Sequence, residues 1–171
     1  MLVGVRELST GMQAAEGRHR LRVIPGAGDI VQTPPMTPDQ PTSSQPLPGS
    51  TLYDRVGGEG FFVRLVDRFY EGVESDPLLR PIYPEDLGPG KAHLAAFLAQ
   101  YWGGPPDYSA RRGHPRLRMR HFPFAIGAGE RDAWVSHMVV AVRLSEASPA
   151  DRDALIEYFD RAATAMINQP L

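Results

Sequence analysis

The sequence predicts an all-α protein, and three observations lead to that prediction. Apolar residues recur at the i, i+4, i+8 spacing of a single helix face in several segments after residue 51. Pairs of glycine and proline residues separate these segments, as expected of helix ends and turns. No stretch alternates between apolar and polar residues as a half-buried strand would. The expected architecture is therefore a set of helices hinged at glycines.

Composition limits the number of domains and the kinds of metal site. A chain of 171 residues that is 42% hydrophobic can bury one core but hardly two. It has no cysteine, which excludes disulfides, thiolate-bound zinc, iron–sulfur clusters and thioether-attached haem. Any metal must therefore bind to histidine, methionine, tyrosine or carboxylate side chains.

Charge and hydropathy indicate the compartment and argue against nucleic acid as the main partner. The net charge is -2, close to neutral for a chain of this size. No segment approaches the roughly 20 apolar residues of a transmembrane helix, and the N-terminus lacks the apolar core of a signal peptide. We therefore expect a cytoplasmic protein. The 17 arginines against a single lysine, Lys91, resemble the coding bias of GC-rich bacteria.

The chain divides near residue 50. Residues 1–50 show no sustained period, and seven prolines fall between positions 25 and 48. This composition predicts a disordered or extended Pro-rich N-terminal arm. Residues 51–171 are dense in apolar periodicity and form the predicted globular domain.

The first predicted helix carries seven apolar residues between positions 61 and 73. Gly57 and Gly58 precede it, and the pair Asp76-Pro77 ends it. The segment 81–89 is too rich in proline for a long helix, so it places Tyr83 on a loop. A second helix is predicted over 90–102, and the Gly-Gly-Pro-Pro run at 103–106 ends it.

The second half of the domain has a loop followed by three helices. Residues 107–115 are predicted to form a long loop with only short helical turns, leading to a short helix that carries His121. A long helix follows over 130–144. Ser148 and Pro149 then form a helix start, with a capping side chain before a proline at the first helical position.

His121 is the strongest candidate ligand for a metal. It shares one helix face with Leu117 and Phe124, and no carboxylate lies nearby in the sequence. A neutral imidazole, apolar walls and neighbouring cations together are what a haem requires. The alternative is a buried structural histidine beside a solvated basic face, and the local pattern alone favours that alternative.

Five arginines surround this histidine, and they permit a second interpretation. Such clusters usually mark a solvated surface or a site for RNA. The slightly acidic remainder of the chain and the lack of interleaved aromatic residues weigh against RNA. The sequence also lacks the motifs of a zinc protease, a phosphate-binding loop and a nucleophile elbow. The arginines are Arg111, Arg112, Arg116, Arg118 and Arg120.

Three aromatic residues from different elements form a second candidate group. Tyr70, Tyr83 and Trp134 each lie on or beside an apolar face. Buried hydroxyl and indole N–H groups require acceptors. If these donors converge on one pocket, they would suit an anionic or polarised ligand. The alternative is that they are ordinary aromatic residues of the core.

Residues 52–168 resemble the truncated haemoglobins, and specifically their second group. The matching blocks occur in family order and cover nearly all of the predicted domain. They begin at 52–58 and continue at 68–70, 83–86, 100–105, 108–109, 112–121, 123–124 and 130–134. The resemblance implies a two-over-two helical sandwich, a shortened globin, around one haem b.

The resemblance also implies roles for individual residues. His121 matches the proximal histidine that binds iron, while Tyr70, Tyr83 and Trp134 match distal residues that contact a bound ligand. Gly90 matches the position where many globins have a distal histidine, which would leave ligand stabilisation to those three donors. The remaining matches are distal walls (Leu94, Phe97) and residues expected to contact the haem (Tyr108, Arg112, Arg118, Leu117, Met119, His93, Phe124).

One departure from the family pattern concerns the haem propionates. An arginine that relatives often use as a propionate anchor on the distal helix is replaced here by His93. The resemblance therefore leaves that anchor to His93 or to Lys91.

The expected function is binding of dioxygen and other diatomic ligands, including nitric oxide and carbon monoxide, with slow release of dioxygen. An enzyme is the alternative: a nitric-oxide dioxygenase or a peroxide-dependent oxidase that needs an external reductase. No residue is assigned a purely catalytic role, and no nucleic acid or transmembrane segment is expected. A homo-oligomer is left open, and so is a haem-free helical domain that binds RNA.

Overall fold

A computed structural model describes residues 49–169. The predicted N-terminal arm, apart from its last two residues, lies outside this described part. Within 49–169 the secondary structure is entirely helical, which confirms the all-α prediction. The helices are α1 (Leu52–Arg55), α2 (Glu59–Ser75), α3 (Gly88–Tyr101), α4 (Asp107–Arg112), α5 (Leu117–His121), α6 (Ala128–Arg143) and α7 (Pro149–Thr164), with a 3₁₀ turn at Arg80–Ile82.

Helix α2 forms the centre of the core. All seven apolar residues of its predicted face are buried, as the spacing predicted. Asp76 follows the last turn in an extended conformation and ends the helix where the sequence indicated. The buried residues are Phe61, Phe62, Leu65, Val66, Phe69, Tyr70 and Val73.

The long helices pack as two pairs. Helix α2 packs against α3, and α6 packs against α7. The pairs meet because α2 also packs against α6. This is the two-over-two arrangement that the resemblance implied. Phe69 contributes to the junction, since its ring centroid lies 5.1 Å from that of Trp134 on α6.

Two helices begin two residues earlier than the sequence pattern predicted. Helix α3 starts at Gly88 because Pro89 is tolerated in a first turn, where its missing N–H would have no helical partner. Helix α6 starts at Ala128 because the Glu130 carboxylate accepts a 2.9 Å hydrogen bond from the Gly127 N–H. Neither helix start can be recognised from the spacing of apolar residues.

The predicted loop at 107–115 contains the six-residue helix α4, and the five-residue helix α5 follows shortly afterwards. Arg116 precedes α5 with left-handed backbone angles (φ 42°), which are uncommon for a residue with a side chain. The chain thus turns sharply before the segment that carries His121.

Helix α7 begins as predicted. The Ser148 hydroxyl accepts a hydrogen bond from the Asp151 N–H, and Pro149 occupies the first turn. Asp151 also pairs with Arg55, connecting α7 to α1. Among residues 49–169, none of the helices combines the length and apolar character needed to cross a membrane.

Candidate functional site

A cavity that is partly open to solvent lies between the segment that carries His121 and the helices α6 and α7. We call the part of its lining formed by Leu117, His121 and Ile126 the proximal wall. The part formed by Tyr83 and Trp134, with Tyr70 packed against Tyr83, is the distal wall. The full lining comprises Leu79, Ile82, Tyr83, Leu117, His121, Ile126, Glu130, Arg131, Trp134, Ala162, Ala163 and Met166.

His121 is buried, with 3% of its surface exposed. Its Nδ1 lies 2.7 Å from the carbonyl oxygen of Leu117. Because a carbonyl can only accept, Nδ1 carries the proton and Nε2 carries the lone pair in the neutral ring. Burial lowers the pKa of His121 to about 4, so the ring is neutral near pH 7. The imidazole is therefore in the form that binds a metal.

The distal wall is built from rings in mutual contact. The rings of Tyr70 and Tyr83 meet edge to face, with centroids 5.6 Å apart. Tyr83 and Trp134 line the same cavity as His121, whereas Tyr70 is fully buried behind them. The structure therefore brings two of the three predicted donors directly to the cavity and places the third one layer deeper.

All three distal donors are buried without a hydrogen-bond partner in the described part of the chain. They are the hydroxyls of Tyr70 and Tyr83 and the indole N–H of Trp134. Burial raises the pKa of both tyrosines above the usual range, so both hydroxyls keep their protons. The Trp134 indole lies close enough to Tyr83 to offset part of the rise in its pKa, although the two groups lack the geometry of a hydrogen bond. Such groups are uncommon in folded proteins and indicate a missing acceptor.

Gly90 lies against the hydroxyl of Tyr70. A Cβ atom built on Gly90 would be 2.7 Å from the Tyr70 oxygen, which is too close for an ordinary contact. Glycine at position 90 thus leaves room for the Tyr70 hydroxyl. This is the position at which, by the resemblance, many globins have a distal histidine.

The other predicted distal residues belong to the core beside the cavity. Leu94 and Phe97 are buried but are not among the residues that line it. Tyr108 is also buried and packs edge to face on Phe97, with centroids 5.4 Å apart. These three residues support the distal helices from behind.

The two predicted propionate anchors have protein neighbours. The Arg112 guanidinium donates to Nε2 of His93 over 2.8 Å, which joins α4 to α3. Lys91 instead points towards α2, with its Nζ 3.8 Å from an oxygen of Asp67. Of the two candidates, His93 is therefore the one connected to a predicted haem-contact residue.

The remaining predicted contacts on the proximal side divide into two pairs. Leu117 lines the cavity, and Phe124 is half-buried against the core. Arg118 is exposed, and Met119 has 59% of its surface exposed, so neither reaches the cavity. Helical geometry explains most of the division: positions 117 and 121 share one face of α5, while 118 and 119 project away from it. Phe124 follows the end of the helix.

A polar network holds the loop that carries Tyr83. His137 on α6 donates from Nε2 to Asp76 over 2.7 Å. The other oxygen of Asp76 accepts from the backbone N–H groups of Leu78 and Leu79, at 2.8 Å and 3.0 Å. Leu79 lines the cavity, so this network fixes one end of the distal loop.

The second end of the loop is held by Arg80. Its guanidinium donates to the carbonyls of Tyr83, Pro84 and Glu85 at 3.1–3.3 Å. The loop backbone around Tyr83 is thereby fixed at both ends by side chains. Sequence reasoning did not identify either arrangement, because their members are polar residues without periodic spacing.

Several cavity residues were not nominated from the sequence as site residues. Ala162, near the end of α7, and Met166, just beyond it, are half-buried and line the cavity. Leu79, Ile82 and Ile126 lie in short connections. Only the fold brings these segments together.

The chemistry of this cavity fits a haem. It offers a buried neutral imidazole and apolar residues around most of its lining. Two buried donors, for which the described part of the chain provides no acceptor, line the same cavity. An iron ligand on one face and donors for an iron-bound diatomic gas on the other are the two requirements of a haem that binds such gases.

Comparison with known proteins gives a consistent family. The family model for bacterial-like globins matches residues 51–168. Among curated relatives, the group 2 truncated hemoglobin YjbI of Bacillus subtilis is 44% identical over 117 residues, covering 68% of this chain and 88% of the relative.

Solved structures agree with the sequence matches. A thermostable hemoglobin from the actinobacterium Thermobifida fusca is 57% identical, with a TM-score of 0.69 over 71% of this chain and 100% of that one. The truncated oxygen-avid haemoglobin from Bacillus subtilis is 41% identical, with a TM-score of 0.66 over 70% of this chain and 100% of the other.

Proposed function

Because this chain belongs to the second group of truncated haemoglobins, we propose that it binds one haem b through His121 and binds dioxygen with slow release. Other diatomic gases, nitric oxide and carbon monoxide among them, would occupy the same place. The observation that carries the proposal is that His121, Tyr83 and Trp134 all line one cavity.

A haem held by His121 would supply an iron that can bind a diatomic gas. The protein's part on the proximal side is to keep His121 neutral and correctly oriented. The bond from Nδ1 to the Leu117 carbonyl does both, because it fixes the tautomer and the ring plane. Burial of the ring adds to this by disfavouring its protonation.

The protein's part on the distal side is to donate hydrogen bonds to a partly negative ligand. Trp134 and Tyr83 can do so without losing other partners, since neither has one in the described structure. A hydrogen bond to a charged group contributes about 1.5–3 kcal/mol. About 1.4 kcal/mol corresponds to a factor of ten, so two such bonds would slow release by orders of magnitude.

The Bacillus subtilis relative is described as oxygen-avid, and its similarity to this chain supports slow release here as well. Slow release suits sequestration or redox chemistry better than delivery. The proposal therefore concerns a protein that retains its ligand.

The test combines absorption spectra with dissociation kinetics on the full chain. We expect a Soret band after reconstitution with hemin, and we expect Trp134→Phe to release dioxygen at least tenfold faster than the wild type. Phenylalanine keeps the apolar ring but removes the N–H. An unchanged dissociation rate would refute the distal part of the proposal, and a missing Soret band would refute the whole of it.

A second candidate function is peroxide-dependent one-electron oxidation, favoured by a continuous series of ring contacts. Trp134 contacts Phe159 (centroids 5.9 Å apart), Phe159 contacts Tyr158 (5.4 Å), and Tyr158 contacts Tyr101 (4.3 Å). Tyr101 is 53% exposed, so the series leads from the cavity to the surface. Peroxide would accept two electrons, and two molecules of an external phenolic donor would each supply one.

The matched variants for this candidate are Tyr101→Phe and the buried Tyr158→Phe. We expect freeze-quench electron paramagnetic resonance after addition of peroxide to show a tyrosyl radical that Tyr101→Phe removes. The same radical signal in wild type and both variants would exclude this route.

A further inference from the structure

Asn168, near the end of the described chain, makes side-chain and main-chain hydrogen bonds to the proximal segment 121–126. Its amide nitrogen donates to the carbonyls of Phe124 (2.8 Å) and His121 (3.3 Å). Its side-chain oxygen accepts from the Ile126 N–H at 3.0 Å, and its own backbone N–H donates to the Ile126 carbonyl at 2.9 Å. We call this set of contacts the Asn168 clamp.

The segment that the Asn168 clamp holds has little stability of its own. Helix α5 contains five residues, too few for a helix to be stable in isolation. Its N-cap residue, Arg116, makes no capping hydrogen bond through its side chain and has a left-handed backbone. The position of His121 must therefore be set by contacts from outside the helix.

Other contacts hold α5 at its beginning rather than at its end. The Arg120 guanidinium donates to the carbonyl of Pro115 at 2.9 Å and to that of Arg112 at 3.3 Å. Both acceptors precede the helix. After His121, the side chain that bonds to the backbone at positions 121, 124 and 126 is that of Asn168.

We propose that Asn168 is a positioning residue for His121, setting where the imidazole meets the haem iron. This inference rests on the proposed function, because it concerns the haem ligand. The two ends of the amide act on different parts of the wall. The oxygen fixes Ile126, which lines the cavity, and the nitrogen fixes the carbonyl of His121 itself.

An alternative is that Asn168 only fastens the end of the chain to the domain. In that case its loss would lower stability without changing the haem environment. Asn168→Asp separates the two cases, since it has nearly the same volume and keeps an acceptor for the Ile126 N–H. It loses the donor and places a negative oxygen against two carbonyls.

Two control variants match this change. Gln169→Ala alters the neighbouring exposed residue and removes its 3.4 Å side-chain hydrogen bond to the Asn168 oxygen, while the four bonds from Asn168 to the segment 121–126 remain. Arg55→Gln breaks the pair with Asp151, which joins α1 to α7 away from the cavity, and so lowers stability elsewhere. Asn168→Ser serves if the aspartate variant does not fold, since it keeps the main-chain bond to Ile126 but is too short to reach the His121 carbonyl.

The readout is the iron–histidine stretching band in resonance Raman spectra of the ferrous, ligand-free full chain. We expect Asn168→Asp to shift or broaden this band and to speed hemin transfer to an apo-globin acceptor about fivefold, the factor expected for one lost hydrogen bond. Both controls should keep the wild-type band.

Two results would count against the inference, and they differ from failure of the proposed function. An unchanged band in haem-loaded Asn168→Asp and Asn168→Ser would overturn it. A band shift in Arg55→Gln as large as that in Asn168→Asp would also overturn it, because general destabilisation would then explain the effect. If the wild type itself binds no haem, the proposed function fails first.

Discussion

The two walls of the cavity are built in opposite ways. In the distal wall, Tyr70 and Trp134 lie on long helices of 17 and 16 residues and Tyr83 lies on a loop, yet none of the three donors has a hydrogen-bond partner among residues 49–169. The proximal wall rests on a helix of five residues, yet hydrogen bonds from elsewhere hold its backbone on both sides of His121. The distal wall thus combines long helices with donors that lack acceptors. The proximal wall combines a short helix with backbone groups that are hydrogen-bonded.

This contrast has a physical reason. A buried donor without an acceptor costs about 1–3 kcal/mol, which only a well-packed framework can absorb. The aromatic contacts around Phe69 and Trp134 provide that packing on the distal side. On the proximal side Met119 and Phe122 are largely exposed, and hydrogen bonds from Asn168 and Arg120 help to hold the backbone.

The largest effect should come from removing the proximal ligand. We expect His121→Gly to lose hemin affinity by several orders of magnitude and to regain its Soret band when imidazole is added. The added imidazole would replace the ring without restoring the backbone contacts. Titration with hemin, followed by absorption, measures this. Retention of wild-type hemin affinity without imidazole would show that another residue binds the iron.

The next effect tests how tightly the distal framework is packed. Gly90→Ala would place a methyl group 2.7 Å from the Tyr70 oxygen, so we expect a loss of about 1–3 kcal/mol in the free energy of unfolding. Because the clash involves one oxygen, adding Tyr70→Phe should recover much of the loss. Urea denaturation of both single variants and the double variant measures the coupling. Strictly additive losses would mean that the methyl group strikes something else.

A smaller effect should reveal the cost of the unsatisfied donors. We expect Tyr83→Phe to raise the stability of the haem-free protein by about 1 kcal/mol, because it removes a buried hydroxyl that has no partner. The same variant should release dioxygen faster. Thermal unfolding without haem and stopped-flow kinetics with haem provide the two measurements. A loss of stability in the haem-free variant would show that the hydroxyl has a partner there.

The smallest effect concerns pH and the network at Asp76. The hydrogen bond from His137, with those from the backbone of Leu79 and Leu78, holds the pKa of Asp76 below its ordinary value of 3.8. Its contribution to stability is therefore complete above that value and lost as the pH falls through the lowered pKa.

Asp76→Asn should accordingly be less stable than the wild type near neutral pH, and the difference should vanish in strong acid. Urea denaturation across the acidic range measures this, with the exposed Asp132→Asn as a control. A difference that is independent of pH would show that the carboxylate charge contributes nothing.

Much of the fold could be predicted from the sequence, because its long helices bury one regular face. The seven buried residues of α2 and the start of α7 at Ser148 follow from spacing and capping alone. The starts of α3 and α6 could not be predicted, since Pro89 and Glu130 act through local backbone geometry.

The candidate site was predicted less completely. The family resemblance identified His121, Tyr83 and Trp134, which the fold brings to one cavity. It also nominated Met119, which helical geometry directs outwards. The contacts of Asn168 could not be predicted from the sequence, because hydrogen bonds between residues 42–47 positions apart produce no repeating pattern of residue types.

The position of Asn168 in the chain also orders events during synthesis. The residue that completes the proximal wall follows His121 by 47 positions, with α6 and α7 in between. A nascent chain that has just exposed His121 therefore has a histidine but no finished wall around it. With Asn168 in its proposed role, stable haem capture would wait until the ribosome has added both helices, and haem insertion would be a late step in the maturation of this protein.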